Sequence, residues 1–355
     1  MPLQQSDRTD GEGLLPPGGQ AGGPPAPSGL VAAPVPARGP VPPSAASPAT
    51  VVPPVALSVP AQGGSFGDGT STSSSRGRSG GGVLALSVLV GLAIYFLMYP
   101  LSDLLYIVGL EENLAFELSG ATLALAGCAA LGGWRQWVFR PAAIRAVFRR
   151  LAWLLVVTFA LFAIELAGDL FDGTPLDPNW ALNLLYLVGL MALVGLFEEG
   201  LFRGVLLQGL LARFGGTTRG VLVCVTIASL LFGAVHIEWG SLDLRDATQV
   251  AQACLKIAQT GVYGFALSGC VIECEEGGLL GLALFHGLDD FVTLLLSDAL
   301  LSPMTETSYV STDGSATTTI ILYAVLIVLY LPVAVKAARR LGRLKTYRGA
   351  FLPSS

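Results

Sequence analysis

The 355-residue chain holds two histidines, His236 and His286. Both sit in apolar runs, SLLFGAVH and LLGLALFHGLDDF. Glu198, Glu199 and Arg203 interrupt a similar run in LFEEGLFRGV, and Asp290 follows His286 by one helical turn. Ionisable groups at membrane depth are costly and normally face a protein-lined or watery interior where they act. A carboxylate and an imidazole sharing one water can take its proton, which is general-base hydrolysis. A second imidazole with an acid beside it can stabilise the oxyanion that forms. Two histidines with Glu198 or Asp290 also make a zinc set, because a catalytic zinc keeps three protein ligands and a water. Glu199 and Arg203 share a helix face, as do His286 and Asp290, each pair being four residues apart.

These groups need apolar helices to carry them. Hydrophobic residues make up 52% of the chain and charged residues only 13%, whereas a soluble domain carries about 25% charged residues. The chain therefore reads as an all-α, polytopic integral membrane protein. A hydrocarbon core of ~30 Å needs about 20 apolar residues in a helix, and about eight such transmembrane segments are expected, near 83–109, 114–131, 151–171, 180–211, 220–237, 249–272, 277–297 and 319–337. Pro100 is expected to bend or interrupt the first, and Lys256 and Gln259 interrupt the sixth. The fourth and fifth are joined by the short loop ARFGGTTR and should pack antiparallel. At 1.5 Å per residue Glu198 lies about 21 Å from Ala212, and His236 about 25 Å from Arg219, so the two should meet at similar depth.

The first 82 residues hold 15 of the 22 prolines, with many glycines and serines. Such a segment buries too little to offset its ordering entropy and is expected to be a disordered tail. The transmembrane domain is placed at 83–345, with the chemistry-bearing motifs in 180–300, and 346–355 as a short C-terminal tail. The opening residues MPLQQSDRTDGEG carry no secretory pattern. The five cysteines (Cys128, Cys224, Cys254, Cys270 and Cys274) lack metal-ligand spacing and read as small core residues.

Loop charge sets the orientation. With the start inside, eight spans place Arg8, Arg38, Arg76 and Arg78, then Arg135, Arg140, Arg145, Arg149 and Arg150, then Arg213 and Arg219, and finally Lys336, Arg339, Arg340, Arg343, Lys345 and Arg348 on one side, 17 of 20 basic residues. Of the rest, only Arg245 falls in a loop on the other side. The positive-inside rule makes the first side cytoplasmic, together with both termini.

Three segments then carry a resemblance. EEGLFR (Glu198 to Arg203) fits EExxxR, FGAVH (Phe232 to His236) fits FxxxH, and HGLDD (His286 to Asp290) fits HxxxN/D. In this order, each in an apolar span, they resemble the CAAX protease and bacteriocin-processing family of intramembrane endopeptidases, of the type II CAAX prenyl endopeptidase kind. The resemblance covers roughly 180–300. It implies that Glu198 activates water with help from His236, that Glu199 and Arg203 are a supporting pair, and that His286 and residue 290 stabilise the oxyanion. Asp290 stands where the prenyl endopeptidases usually have Asn. An ionised aspartate cannot donate to an oxyanion, so Asp290 would have to be protonated, orient His286 or bind a metal. No cofactor is expected on the glutamate mechanism; zinc on His236, His286, Glu198 and Asp290 is the alternative.

The expected partners are a membrane-associated protein or peptide substrate and the lipid bilayer, with no nucleic acid. The Ala/Gly/Leu-rich composition suits a bacterial cytoplasmic membrane, where sorting signals, leader peptides, membrane-anchored tails or regulatory membrane proteins are better substrates than a prenylated one. Buried carboxylates, histidines and an arginine also suit a proton-coupled transporter, although no internal repeat accompanies them. An inactive binding scaffold would have no need of Glu198, His236 and His286 together. Elsewhere, Asp289 reads as a neighbour without a role and Glu165 as a polar residue near the outer surface or at the cavity. The ECEE cluster (Glu273, Glu275, Glu276) reads as a solvated turn, and Lys256 as a residue snorkelling to the interface.

Overall fold

The structure, a computed structural model, describes residues 80–274, 276–302, 309–311, 314–344 and 347. The expected tail therefore lies outside the described residues over 1–79, as do 345–346 and 348–355, Glu275, and parts of the loop after residue 302. Among the described residues every regular element is helical.

The chain forms α1 (Gly80–Ile107), α2 (Glu112–Leu131), α3 (Pro141–Asp172), α4 (Trp180–Glu198), α5 (Leu207–Phe214), α6 (Thr218–Ala234), α7 (Ala247–Glu273), α8 (Gly278–Leu294) and α9 (Ala316–Leu341). A π-helical segment, Glu199–Leu206, joins α4 to α5 without a break, and a second, Leu296–Leu300, follows α8. Among the described residues, six helices are long and apolar enough to cross a membrane, with α4 and α5 counted as one continuous helix, Trp180–Phe214. The eight expected segments are all helical; the fifth is slightly shorter than expected, and the seventh is α8 continued through Leu295 into the π-helical Leu296–Leu300. Both α6 and α8 have 17 residues, or about 26 Å at 1.5 Å per residue. Pro100 does not interrupt the first: α1 runs through it for 28 residues.

Sequence chemistry at the ends explains where the helices begin. The Glu111 carboxylate accepts from the N–H of Leu114 ahead of α2, and Thr217 Oγ1 accepts from Gly220 at the start of α6. Pro141 opens α3, where its missing N–H would have had no partner. Gly132, in the left-handed region at φ 91°, closes α2 as side chains with a Cβ rarely can.

Packing follows the contacts that glycine permits. A Cβ on Gly195 would strike the carbonyl of Ala283, and one on Gly287 would lie 2.5 Å from the carbonyl of Met191. Backbone therefore meets backbone where α4 and α8 run antiparallel, the close approach that small residues allow between membrane helices. Gly233 touches the backbone of Ile257 in the same way, which sets the end of α6 beside the first half of α7. Outward-facing side chains are apolar, among them Phe96 at 67% exposure, Leu185 at 70% and Val328 at 68%. In water this would be a sticky surface; around a bundle it is a lipid-facing one.

The loops rich in arginine gather at one end of the bundle. Arg140 and Arg135 pair with Glu276, Arg150 and Arg340 pair with Glu273, and Thr218 donates to the carbonyl of Leu344. The expectation of a merely solvated ECEE turn is thus corrected: Glu273 and Glu276 clip the ends of α3, α7 and α9 and the segment before α3 together. The opposite end is closed by Tyr186 Oη donating to Glu111, by Asp177 N–H donating to the Leu300 carbonyl, and by Gln252 bridging to Ser311.

Candidate active site

The site begins at the junction of α4 with the π-helical segment. Here the N–H of Leu207 bonds the carbonyl of Phe202, an i→i+5 step, and Gln208 Nε2 reaches the carbonyl of Arg203 at 3.3 Å. Such widened turns recur at functional sites. The carboxylates of Glu198 and Glu199 diverge. Glu199 points inward, 0% exposed, and pairs with Arg203 Nη1 at 3.0 Å. Arg203 is 1% exposed, lies 4.0 Å above the Phe232 ring and donates through Nη2 to the carbonyl of Gly264 on α7. Glu198 points the other way, with 20% of its side chain exposed.

His286 on α8 is held at both nitrogens. Nδ1 lies 2.9 Å from Glu199 Oε1, while Nε2 faces Glu198 Oε2 at 3.5 Å and Asp290 Oδ2 at 3.4 Å. His236 lies just beyond α6. Its Nδ1 is 2.7 Å from the carbonyl of Phe232. A carbonyl only accepts, so Nδ1 carries the proton and Nε2 presents a lone pair when the ring is neutral. That Nε2 is 3.9 Å from Glu198 Oε1.

The structure thus brings together all six residues singled out from the sequence, and it divides them. Glu199, Arg203 and His286 are buried and bonded to one another, whereas Glu198, His236 and Asp290 keep part of their side chains open. Phe232 is the hub of the rings, with centroids 4.8 Å from His236, 5.8 Å from His286 and 5.1 Å from Phe202.

Five further side chains, Glu117, Asp289, Lys256, Tyr309 and Tyr263, complete the surroundings. Glu117 on α2 faces Glu198 and Asp290, and its buried Oε2 has no hydrogen-bond partner. A lone carboxylate in the run AFELSGA is the signal that could have found it. Asp289, read from the sequence as having no role, is 5% exposed and accepts from Thr158 Oγ1 at 2.6 Å, which ties α8 to α3. The expectation that Lys256 snorkels is also corrected. Its Nζ sits 3.8 Å from the Tyr309 ring centroid, and Tyr309 in turn packs 6.0 Å from His236. Tyr263 packs 5.5 Å from His286. Glu165, by contrast, is exposed on α3 and is not among these groups.

A family model described as Rce1-like, type II CAAX prenyl endopeptidase Rce1-like, matches residues 179–292, the stretch that contains all six residues. Over that stretch, which is less than half of the chain, the sequence is similar to the Rce1-like family. No curated protein and no solved structure matches the chain. The match supports a protease, a hydrolase, and the long apolar helices support an integral membrane protein. The match ends at Phe291 and Val292 in α8, so Glu117 and Tyr309 are contributed from outside it.

For the zinc alternative, the donor chemistry of Glu198, His236, His286 and Asp290 is suitable. Among the described residues, however, no three or more His, Cys, Asp or Glu side chains gather in a metal-holding arrangement. His286 spends Nδ1 on Glu199, and its Nε2 is shared between two carboxylates.

Proposed function

We propose that the protein is an intramembrane endopeptidase in which Glu198 and His236 activate a water against a peptide bond of a membrane-associated polypeptide. The observation that carries this is the pairing of Glu198 Oε1 with the lone-pair nitrogen of His236 across 3.9 Å. That gap is too long for a direct hydrogen bond and suits one bridging water.

The steps follow from the groups around that gap. Water gives its proton to the Glu198–His236 pair as its oxygen attacks the carbonyl carbon. The oxyanion forms beside His286. In its doubly protonated form His286 keeps Nδ1–H on Glu199 and offers Nε2–H to the oxyanion, which is the stabilisation such intermediates need. Asp290 acts by orienting that ring rather than by donating. The proton then passes to the leaving amine nitrogen as the carbon–nitrogen bond breaks. Glu199 and Arg203 hold Glu198 and His286 in register, because the pair connects the π-helical segment to α7 and α8 through Gly264 and His286. No step is assigned to a metal.

The test is cleavage of a peptide library in detergent by the purified protein and by Glu198→Ala and His236→Ala, with metal content measured on the same samples. Both variants should be inactive while remaining folded. Cleavage that survives both sinks the mechanism. Stoichiometric zinc that disappears in His236→Ala replaces it with a metal one. Proton-coupled uptake into vesicles without peptidase activity would establish the transporter instead.

A further inference from the structure

On the side of the bundle away from the catalytic groups, α6 and α9 both pack along α7 but scarcely on each other. The gap between them is a groove of about 400 Å³. Gly261 and Phe265 on α7 form its floor, Thr226 and Leu230 on α6 one wall, and Val335 and Ala338 on α9 the other. Small residues create the space: a Cβ added to Gly261 would meet nothing closer than 3.6 Å. The lining carries no ionisable side chain.

The groove leads toward the arginine-rich end. Tyr263 packs 5.7 Å from Tyr330, and a Cβ on Gly269 would touch Ala337, so α7 and α9 run side by side in the same direction. Thr218 donates to the carbonyl of Leu344, which sets the start of α6 beside the end of α9. On α6, Arg219, Val223, Thr226 and Leu230 recur at spacings of four, three and four, which is one helix face. On α9, Arg339 follows Val335 by four residues and continues the groove wall. Arg219 thus stands about 10 Å along its helix from Thr226, and Arg339 about 6 Å from Val335. Both arginines are exposed. Neither has a carboxylate within ion-pair distance among the described residues, whereas Arg150 and Arg340 are spent on Glu273.

We infer that this groove binds an anionic phospholipid of the leaflet at the arginine-rich end, one acyl chain lying on Gly261 and Phe265 and the phosphate held at Arg219 and Arg339. The rim selects the headgroup, because guanidinium groups match phosphate oxygens and basic residues just outside a span attract anionic lipid. The lining selects hydrocarbon, since a polar chain would find no partners there. The volume excludes a helix, for three turns about 10 Å across occupy more than about 1,000 Å³. The floor is the same stretch of α7 that holds Tyr263 against His286 and the Gly264 carbonyl against Arg203. A bound chain therefore braces α6, α7 and α9 directly behind those contacts, and by mass action it stabilises the fold. The inference is independent of the peptidase reading.

The probe is a phosphatidylglycerol with a diazirine on one acyl chain, added in trace to the full chain reconstituted in phosphatidylcholine vesicles. Photolysis and peptide mapping should place the label on α6, α7 and α9 around Leu230, Gly261 and Val335, and unlabelled phosphatidylglycerol should compete it away. Arg219→Gln combined with Arg339→Gln should lower the labelling about 25-fold, roughly fivefold for each charge removed. Gly261→Leu puts a side chain into the groove and leaves the rim intact, so it should abolish the labelling. Thermal unfolding in detergent confirms that both variants are folded, and phosphatidylglycerol should raise the midpoint of the wild type alone. Equal labelling by a phosphatidylcholine probe overturns the inference, as does labelling that survives Gly261→Leu or spreads evenly over the lipid-facing sides of α1 and α3. Disulfide-linked dimers of Val335→Cys that disappear in Gly261→Leu would give the groove to a second copy of the chain and overturn it as well.

Discussion

Glu198 Oε1 and His236 Nε2 stand 3.9 Å apart, with the far nitrogen of the imidazole committed to the carbonyl of Phe232. This commitment fixes which nitrogen can accept a proton. Glu198→Gln keeps the shape of the side chain and removes the base. It should lower kcat by about 10²–10⁴-fold, the usual worth of a positioned general base, with KM nearly unchanged. His236→Ala should fall in the same range, and the double variant should lose little more than either single one, since both act on one water. Steady-state kinetics on any peptide the wild type cleaves, with thermal unfolding to confirm folding, measures this. Two multiplicative losses would mean that the residues act separately.

The Glu199–Arg203 pair makes a different prediction, because both side chains are out of solvent. Removing one partner of such a pair leaves a buried charge alone and costs about 3–5 kcal/mol. Arg203→Met and Glu199→Gln should each lower the unfolding midpoint sharply in detergent. The double variant should recover much of that loss, because no charge is then left uncompensated. Activity should not recover with it, since His286 Nδ1 loses its carboxylate partner. A double variant as unstable as the sum of the singles would show that the pair is not the source of the effect.

Much of this arrangement was legible in the sequence, for a physical reason. Charges in an apolar run are few, so Glu198, Glu199, Arg203, His236, His286 and Asp290 stand out, and the membrane forces them to face one another. The four-residue spacing predicted the Glu199–Arg203 contact, and the pair forms even though the segment is π-helical rather than α-helical. What the sequence hid was three-dimensional. Asp289 looked redundant beside Asp290 until α3 brought Thr158 against it. Lys256 was expected at the interface because nothing in sequence placed Tyr309, some fifty residues away, beneath its ammonium. The short α6 was overestimated because GAVHIEW continues the apolar pattern beyond Ala234, whereas the chain turns there and the Trp239 indole N–H donates back to the Ala234 carbonyl.

Glycine contacts between α4 and α8 should control activity more than stability. Gly195 and Gly287 let the two backbones approach where Glu198 and Glu199 must reach His286. Gly195→Ala and Gly287→Ala should each cost about 1–3 kcal/mol through overpacking and, by spreading the helices, a larger fraction of kcat. Gly189→Ala, one and a half turns away on α4 with nothing within 4 Å of a new Cβ, is the control. It should be neutral or stabilising by up to about 1 kcal/mol, because alanine is the better helix former. Equal losses at all three positions would show that the contact between α4 and α8 is not what matters.

Asp246 gives a pH dependence whose sign can be worked out. It caps α7, the helix that carries Lys256, Tyr263 and Gly264 to the site, by accepting from the N–H groups of Thr248 and Gln249. The bond from Thr248 is the main reason its carboxyl is held below the usual carboxylate range, with the Gln249 N–H and side chain assisting. A carboxyl lowered on folding stabilises the ionised form, so the cap is fully in force above the unfolded value of about 3.9. It fades only as pH falls through the lower folded value. The first turn of α7 should therefore be protected equally at pH 7 and pH 5, and open as the solution becomes more acidic than about pH 4. Asp246→Asn keeps an acceptor that does not titrate, so it should remove the pH dependence and keep the protection. Asp246→Ala should fray the turn at every pH. Hydrogen exchange of amides 247–250, corrected for intrinsic rates, separates the three. An opening in the wild type that begins near neutrality would assign the effect to some other group.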